Sequence, residues 1–415
     1  MIELAEIFRR YAPAYRAQCG DRLLPRHRRA MWAIEHCRTE ALGGHVYTCP
    51  ECGETQYRYH SCRNRHCPKC QHEHAQRWLA QQGDLRLPVP YFMLTFTLPS
   101  QLRPVARSQQ SLIYHLLFRA SAEAAQQLAW DPRFVGGQIG LVGVLHTWAR
   151  DLSYHPHVHY LVPAGGLADD DQTWRSIPPD FLVPVKTLSS LFRAKFRDAL
   201  HKTDCFSSVP ARVWESEWVV HCLPVGNGLT AFQYLAPYIF RVAISNRRLV
   251  KVEDDQVTFR YRASGTGETR FCTLPAEQFI HRFLQHVLPR HFVKVRYYGL
   301  FSPGYRPQLT ALRQQLGAPS APPPPAVPDV NADIVAVSGV EPIRCTATDT
   351  VHPVEVPALG SQLPPPDSDT DTSAASAAPP PLSVPTIAPD TPTCPVCGHR
   401  MRRQAMLPPH GRAPP

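Results

Sequence analysis

The residues best suited to chemistry lie in the stretch His155-Pro156-His157-Val158-His159-Tyr160-Leu161-Val162. Successive side chains of a β-strand point to opposite faces, so His157 and His159 leave one face while Val158 leaves the other. Neutral imidazole is the commonest protein metal ligand, and two side by side make a ready metal site. A third histidine, His146, ends the preceding apolar run at 139–145. It reaches the same ion if the two strands are neighbours. A single histidine on an apolar strand is usually a hydrogen-bonded core residue; two on one face with a third nearby point to a metal. Alternation also leaves His155 on that face, so spacing alone does not separate it from the ligands.

A different metal chemistry is written in the cysteines. Seven of thirteen fall at or before residue 70. Cys49-Pro-Glu-Cys52 and Cys67-Pro-Lys-Cys70 are knuckle-like pairs in a Cys-x2-Cys-x14-Cys-x2-Cys spacing. Two such turns place four thiolates around a tetrahedral Zn²⁺, as in a zinc ribbon. Cys37, His45, Cys62, His66 and His72 are further candidates, for a replaced ligand or a second site. A last pair, Cys394-Pro-Val-Cys397, lies near the C-terminus with His399 and His410 beyond it. One knuckle gives two thiolates, so it needs one of those histidines or a distant ligand, or it remains a bare dithiol. Arg63, Arg65 and Lys69 lie among the N-terminal ligands and are suited to phosphate contact.

Tyr234 and Tyr238 stand four apart in a helix-like stretch at 232–244, which puts their hydroxyls on one face. Aromatics at this spacing most often pack a core, but an activated phenol is also a competent nucleophile. Pro237 between them disturbs a helix interior. Arg247 and Arg248 follow as a cation pair suited to phosphate.

These groups must be positioned by a mixed set of elements. Two helices broken near Gly20 are expected over 4–40, with a basic cluster at 26–29. Strands are expected at 90–99, up to His146, through His157 and His159, and at 214–221, 248–252, 256–262 and 292–300. Helices are expected at 108–130, 188–201 and 276–287. Short connections favour an α+β fold, an antiparallel sheet covered by helices. The stretch 318–393 has no Lys, one Arg and no aromatic residue, and is rich in Pro. Such a composition buries too little apolar area to offset chain entropy, so it is expected to be a disordered linker. It is also acidic, so the remainder is more basic than the whole-chain net charge of +10 and fits a polyanionic partner. No segment has the length of an apolar membrane span or the apolar core of a signal peptide. Cysteine-rich and without an export signal, the chain is expected in the reducing cytoplasm, nucleoid-associated when on DNA, with no membrane partner.

The motifs taken in order resemble the two-tyrosine transposases of the insertion sequence 91 type, members of the HUH endonuclease superfamily. The resemblance covers most of residues 30–303. It is carried by Cys62-Arg63-Asn64-Arg65-His66-Cys67-Pro68-Lys69-Cys70-Gln71, Phe96-Thr97-Leu98-Pro99, Leu145-His146-Thr147-Trp148 and His155–His159. Tyr234-Leu235-Ala236-Pro237-Tyr238, Ala243-Ile244-Ser245-Asn246-Arg247 and Tyr297-Tyr298-Gly299-Leu300-Phe301 complete it. Pro237 stands where that family often has a basic residue.

The resemblance implies an HUH-endonuclease-like antiparallel sheet with helices, preceded by a zinc-ribbon module and followed by a disordered Pro-rich tail. The expected division is a helical and zinc-binding DNA-binding module at 1–85 and a catalytic domain at 86–303. A linker at 304–393 and a basic tail with its knuckle at 394–415 follow. The implied activity is nicking and rejoining of single-stranded DNA ends through 5′-phosphotyrosine intermediates, in rolling-circle transposition. His157 and His159 match the paired ligands of Mg²⁺ or Mn²⁺, His146 a third ligand, and Tyr234 and Tyr238 the nucleophiles; structural Zn²⁺ belongs to the cysteines. Implied partners are the single-stranded ends of a mobile element and target DNA. A host helicase is implied too, because no Gly-x-x-x-x-Gly-Lys-Ser/Thr loop appears in the sequence. The rival readings are a rolling-circle replication initiator or relaxase nickase, and a non-catalytic zinc-dependent DNA-binding protein.

Overall fold

Period-two alternation of apolar side chains organises the middle of the chain into strands. The computed structural model describes residues 2–70, 85–170, 172–227, 242–263, 266–317 and 391–411. In chain order the described elements begin with α1 (Leu4–Cys19), α2 (Pro25–Glu35), β1 (Gly44–Thr48), β2 (Thr55–Tyr59) and β3 (Pro90–Thr97). Next come α3 (Arg103–Ser108), α4 (Gln110–Ala129), β4 (Gly140–Trp148), β5 (Tyr154–Pro163), β6 (Gly165–Leu167) and β7 (Trp174–Ser176). Then follow α5 (Val185–His201), α6 (Arg212–Glu215), β8 (Val220–Asn227), β9 (Leu249–Glu253), β10 (Gln256–Arg262) and β11 (Thr269–Pro275). The last are α7 (Ala276–Leu284), β12 (Val295–Gly299), α8 (Arg306–Gln315) and β13 (Arg402–Leu407). The architecture is mixed helix and antiparallel sheet, as the pattern of the sequence predicts.

The described residues fall into two compact units: those of Met1–Gln71, Ile244–Val287 and Gly360–Pro415, and those of His72–Ala243 and Leu288–Leu359. In the second unit a five-stranded sheet has the order β12-β4-β5-β3-β8, and every neighbouring pair is antiparallel. One face carries Phe92, Leu94, Phe96, Leu145, Val158 and Tyr160 against α4 and α5. Phe96 meets Tyr160 and Phe192 edge-on at centroid distances of 5.8 and 5.1 Å. Gly143 is required here: a Cβ on it would run into the Tyr160 ring that lies over β4. The Tyr160 hydroxyl is satisfied by the Phe118 carbonyl at 3.0 Å and by Ser121 at 2.8 Å, as a buried polar group must be.

The opposite face of the sheet is divided. Its apolar end holds Tyr91, Met93, Val142, Val144 and Leu161, packed with Leu309 and Leu312 of α8. Its polar end holds the histidines.

The first unit contains the β13-β1-β2 sheet and the β11-β10-β9 sheet. Phe8 of α1 packs edge-on against Phe283 of α7 at 5.4 Å, and Phe259 of β10 lies 6.0 Å from Phe279 of α7. The Tyr15 hydroxyl hydrogen-bonds His281 Nδ1 at 3.1 Å.

Several sequence expectations need correction. The strand expected at 214–221 is a single helical turn, α6, followed by a strand that starts at Val220. Trp214 and Trp218 stack at 5.9 Å, and the Trp218 indole N–H donates to Val213 O at 3.0 Å, which ties this segment to the helical turn before it. The linker boundary at 304 is too early, because α8 follows it and buries Leu309 and Leu312. Residues 244–287, expected inside the catalytic domain, group with the N-terminal unit, and the tail beyond 391 supplies β13 to that unit. The helix-like stretch at 232–244 lies almost wholly outside the described residues.

Phe96 is fully buried between the sheet and α5, so Phe96→Ala is expected to destabilise the second unit by about 3–5 kcal/mol. Urea unfolding followed by tryptophan fluorescence measures this; a loss below about 1 kcal/mol would mean that this face is not the packed core.

Candidate metal centres

The hairpin-like pairing of β4 and β5 sets His146 directly opposite His157 and Val144 opposite His159. On the other side of β5, Thr97 lies opposite His157 and Thr95 opposite His159. Two adjacent rows across three strands therefore build the polar end of the sheet. The ring centroids of His146, His157 and His159 are 5.5, 5.0 and 4.8 Å apart in the pairs 146–157, 146–159 and 157–159. One ligand atom from each lies within 4.8 Å of the others, within side-chain adjustment of a shared ion. His146 and His159 are buried. His146 stacks on Trp148 at 4.7 Å, and the Lys294 ammonium sits 5.3 Å from the centroid of that indole.

Hydrogen bonds decide which ring nitrogen faces the ion. His157 Nδ1 lies 2.7 Å from the carbonyl of His155. A carbonyl only accepts, so Nδ1 carries the hydrogen and the Nε2 lone pair is left for a metal. His159 Nδ1 lies 2.9 Å from buried Thr95 Oγ1, which fixes the ring in the same sense when Nδ1–H donates to the hydroxyl. His155 is different. Arg103 Nη2 donates to its Nδ1 at 3.0 Å, so the lone pair on that nitrogen is used and Nε2 carries the hydrogen. Burial, then the nearby His157 and Arg103 charges, push His155 down to about 3, which keeps it neutral. His155 lies outside the ligand trio for this reason, a distinction that alternation could not make. The sequence reading missed Thr95, whose only signal was a small polar β-branched residue inside an aromatic strand.

The cysteines sort differently from the expected ribbon. Cys49 and Cys52 do not share a site with Cys67 and Cys70. Instead Cys37, Cys62, Cys67 and Cys70 form one set, and Cys49, Cys52, Cys394 and Cys397 another. Cys70 Sγ lies 3.6 Å from both Cys37 Sγ and Cys62 Sγ. In the second set Cys49–Cys397, Cys52–Cys394 and Cys52–Cys397 are 3.3, 3.5 and 3.6 Å apart. Four sulfurs at about 2.3 Å from one zinc are separated by about 3.8 Å, whereas a disulfide needs about 2.05 Å. Both sets fit a metal and neither is a disulfide. Neighbouring thiols, Cys37 first, hold Cys70 far below the ordinary thiol range, and Cys62 chiefly brings Cys37 down to about 7. The backbone N–H of Cys52 leads in lowering Cys49, to about 6. The same mutual contacts push Cys62, Cys67 and Cys397 up, so without an ion each set holds its protons unequally, and binding requires their release to give the thiolates that hold metal.

The remaining predicted residues are placed as follows. The rings of His45, His66, His399 and His410 belong to neither thiol set, and His72 lies outside the described residues. Arg63 and Arg247 are exposed and Arg65 is half-buried. Lys69 is ion-paired with Glu3 at 2.6 Å. Arg248 packs on the Phe259 ring and donates from Nε to Arg260 O at 2.9 Å, so it is pinned to β10. Tyr234 and Tyr238 lie outside the described residues. No described helix is long and apolar enough to cross a membrane.

Comparisons with known proteins bear on both kinds of site. A family model described as a transposase zinc-binding domain matches residues 7–98, and one described as a putative transposase matches residues 140–308. A Sinorhizobium fredii protein named putative transposase y4qJ is 42% identical over 342 residues, which cover 78% of this chain and 86% of that protein. The transposase for insertion sequence element IS801 of Pseudomonas savastanoi pv. phaseolicola is 29% identical over 285 residues, covering 64% of this chain and 68% of that one. No solved structure matches the chain.

The Thr95 hydroxyl gives a direct test of the histidine geometry. Thr95→Val keeps the shape but loses the hydrogen bond, and is expected to weaken Mn²⁺ binding by about 10- to 100-fold in titration calorimetry of zinc-replete protein. Thr95→Ser should bind nearly as wild type. Equal affinity of Thr95→Val and wild type would remove Thr95 from the orientation of His159.

Proposed function

We propose, from the premise that this chain belongs to the insertion sequence 91 family of transposases, that it nicks and rejoins single-stranded DNA ends through 5′-phosphotyrosine intermediates in rolling-circle transposition. Family membership makes DNA the substrate and cleavage with strand transfer the reaction class. The finer reading rests on one observation: three imidazoles converge from two paired strands, and no fourth Cys, His or carboxylate ligand joins them among the described residues. Sites closed by four protein ligands are structural, whereas catalytic sites keep positions for water or substrate. The two four-thiol sets are of the first kind and the histidine trio is of the second. An antiparallel sheet with the His-Val-His strand inside it supports an HUH-type catalytic domain.

Bound at His146, His157 and His159, Mg²⁺ or Mn²⁺ would supply Lewis-acid polarisation of a scissile phosphate. The chain's own residues do the rest. His155, held neutral by burial and by Arg103, adds no charge beside the phosphate site. Tyr234 or Tyr238 attacks phosphorus with its phenol oxygen. A Tyr O–P bond forms and the P–O3′ bond breaks; the 5′-phosphate stays on the tyrosine and the phenol's proton ends on the departing 3′-oxygen. Because the phenol ordinarily titrates near about 10, this attack needs a local field that favours the phenolate. Joining is the reverse, with a 3′-hydroxyl displacing the tyrosine, so no nucleotide hydrolysis is required. Two tyrosines allow two strands to be held in turn. Exposed Arg63 and Arg247, with Arg65, Lys69 and Arg248, serve phosphate contact, and strand separation is left to a host helicase.

The test is adduct formation with a single-stranded transposon end and Mn²⁺, read on denaturing gels. Wild type should give a covalent protein–DNA species. Tyr234→Phe and Tyr238→Phe should each reduce it, the double variant should abolish it, and His157→Ala should lower it by at least about 100-fold, the scale of losing a group that stabilises transition-state charge. DNA binding without any adduct in wild type would leave only a zinc-dependent DNA-binding protein. Adducts that survive in the double variant would move the nucleophile elsewhere.

A further inference from the structure

The two thiol sets differ in how the chain supplies them. Cys37, Cys62, Cys67 and Cys70 all lie inside the segment matched as a zinc-binding domain, residues 7–98. That segment holds only half of the other set. The missing half comes from the far end of the chain, with Cys394 standing 342 positions after Cys52.

The two halves are local copies of each other. Cys49-Pro50-Glu51-Cys52-Gly53 and Cys394-Pro395-Val396-Cys397-Gly398 share the pattern Cys-Pro-x-Cys-Gly, whereas Cys70 is followed by Gln71. The glycines have φ of 74° and 75°. A Cβ on either would meet nothing, so what each supplies is the left-handed backbone conformation. Gly53 N–H donates to Cys49 O at 3.1 Å, and Gly398 N–H to Cys394 O at 3.0 Å. Cys49 N–H donates to Glu54 O, and Cys394 N–H to His399 O, both at 2.8 Å. Two identical turns thus face each other with their four sulfurs at metal-sharing distances.

The strand before the first turn and the strand after the second are also joined. β13 pairs with β1 from Gly44↔Leu407 to Thr48↔Arg402. The cluster beneath them contains only Cys49, Cys394 and Met401, with Tyr47 beside it. So small a core does not hold a domain together without a metal or other staple.

We infer that residues 391–411 are the second half of a zinc ribbon whose first half is residues 44–59, and that a second Zn²⁺ joins the two ends of the chain. Four thiolates in tetrahedral disposition select Zn²⁺ over the oxygen-seeking ions suited to the histidine trio. Binding displaces the thiol protons to solvent. The ribbon is complete only once Cys394 and Cys397 are present: a chain cut or terminated before Cys394 keeps the first zinc and loses the second. The inference is independent of the tyrosine chemistry.

The test uses the full chain. Elemental analysis should find two zinc per chain in wild type and one in Cys394→Ser/Cys397→Ser. Because serine substitution can disturb folding, a second measurement uses the native cysteines. A specific protease site is placed within residues 330–380, the chain is cut, and the pieces are run on a sizing column. The C-terminal piece should stay with the rest in zinc buffer and separate after incubation with a strong chelator. Wild-type zinc content in the double variant would overturn the inference. So would loss of the piece in zinc buffer, and so would retention that a strong chelator leaves untouched, which would mean that strand pairing alone holds the tail.

Discussion

The register of β4 against β5 is the constraint on which the histidine centre depends. Side chains alternate with period two, so a slip of one residue would turn His157 and His159 into the apolar core and Val158 out of it. The register is enforced from the far face, where Leu145, Val158 and Tyr160 are buried with Phe96 and Phe118. Gly143 contributes by leaving room for the Tyr160 ring. The hydrophobic effect on one side of the sheet thereby fixes polar geometry on the other. Hydrogen bonds from the sheet itself, at the His155 carbonyl and Thr95, then choose the ring nitrogens.

Under the proposed function the protein would separate two metal chemistries by ligand type and closure. Thiolates in sets of four surround an ion completely and hold structure. In the proposed reading, three imidazoles on a rigid sheet would leave an ion partly open, where a phosphate oxygen could approach. The division also places the work sensibly in the fold. The histidine trio sits on the five-stranded sheet, whose other face is packed into an extensive buried cluster. The set of Cys49, Cys52, Cys394 and Cys397 sits where apolar burial is scarce, under short strands and turns.

How much of this was legible in the sequence follows from the range of each interaction. The histidine trio was legible because its rule is local: a period-two strand and a short connection to its neighbour. Most helices and strands were legible for the same reason. The partition of cysteines was not, since the nearest pair in sequence, Cys49-Cys52 with Cys67-Cys70, is not the pair in space. A local signal did exist in the glycine shared by the first and last knuckles and missing after Cys70. α8 was hidden because Pro303 and Pro307 read as linker, although Leu309 and Leu312 have helical spacing. Trp214 and Trp218 read as strand alternation because a spacing of four satisfies period two as well as period 3.6.

The central claim of the proposed function is that His146, His157 and His159, and not His155, would hold one ion, His157 and His159 through their Nε2 atoms. Crystals grown with Mn²⁺ and measured for anomalous scattering would test it most directly. The account predicts one anomalous peak bonded to all three rings, through Nε2 at His157 and His159, with Arg103 still on His155 Nδ1. A peak shared by His155, or none at the polar end of the sheet in protein saturated with Mn²⁺, would contradict it.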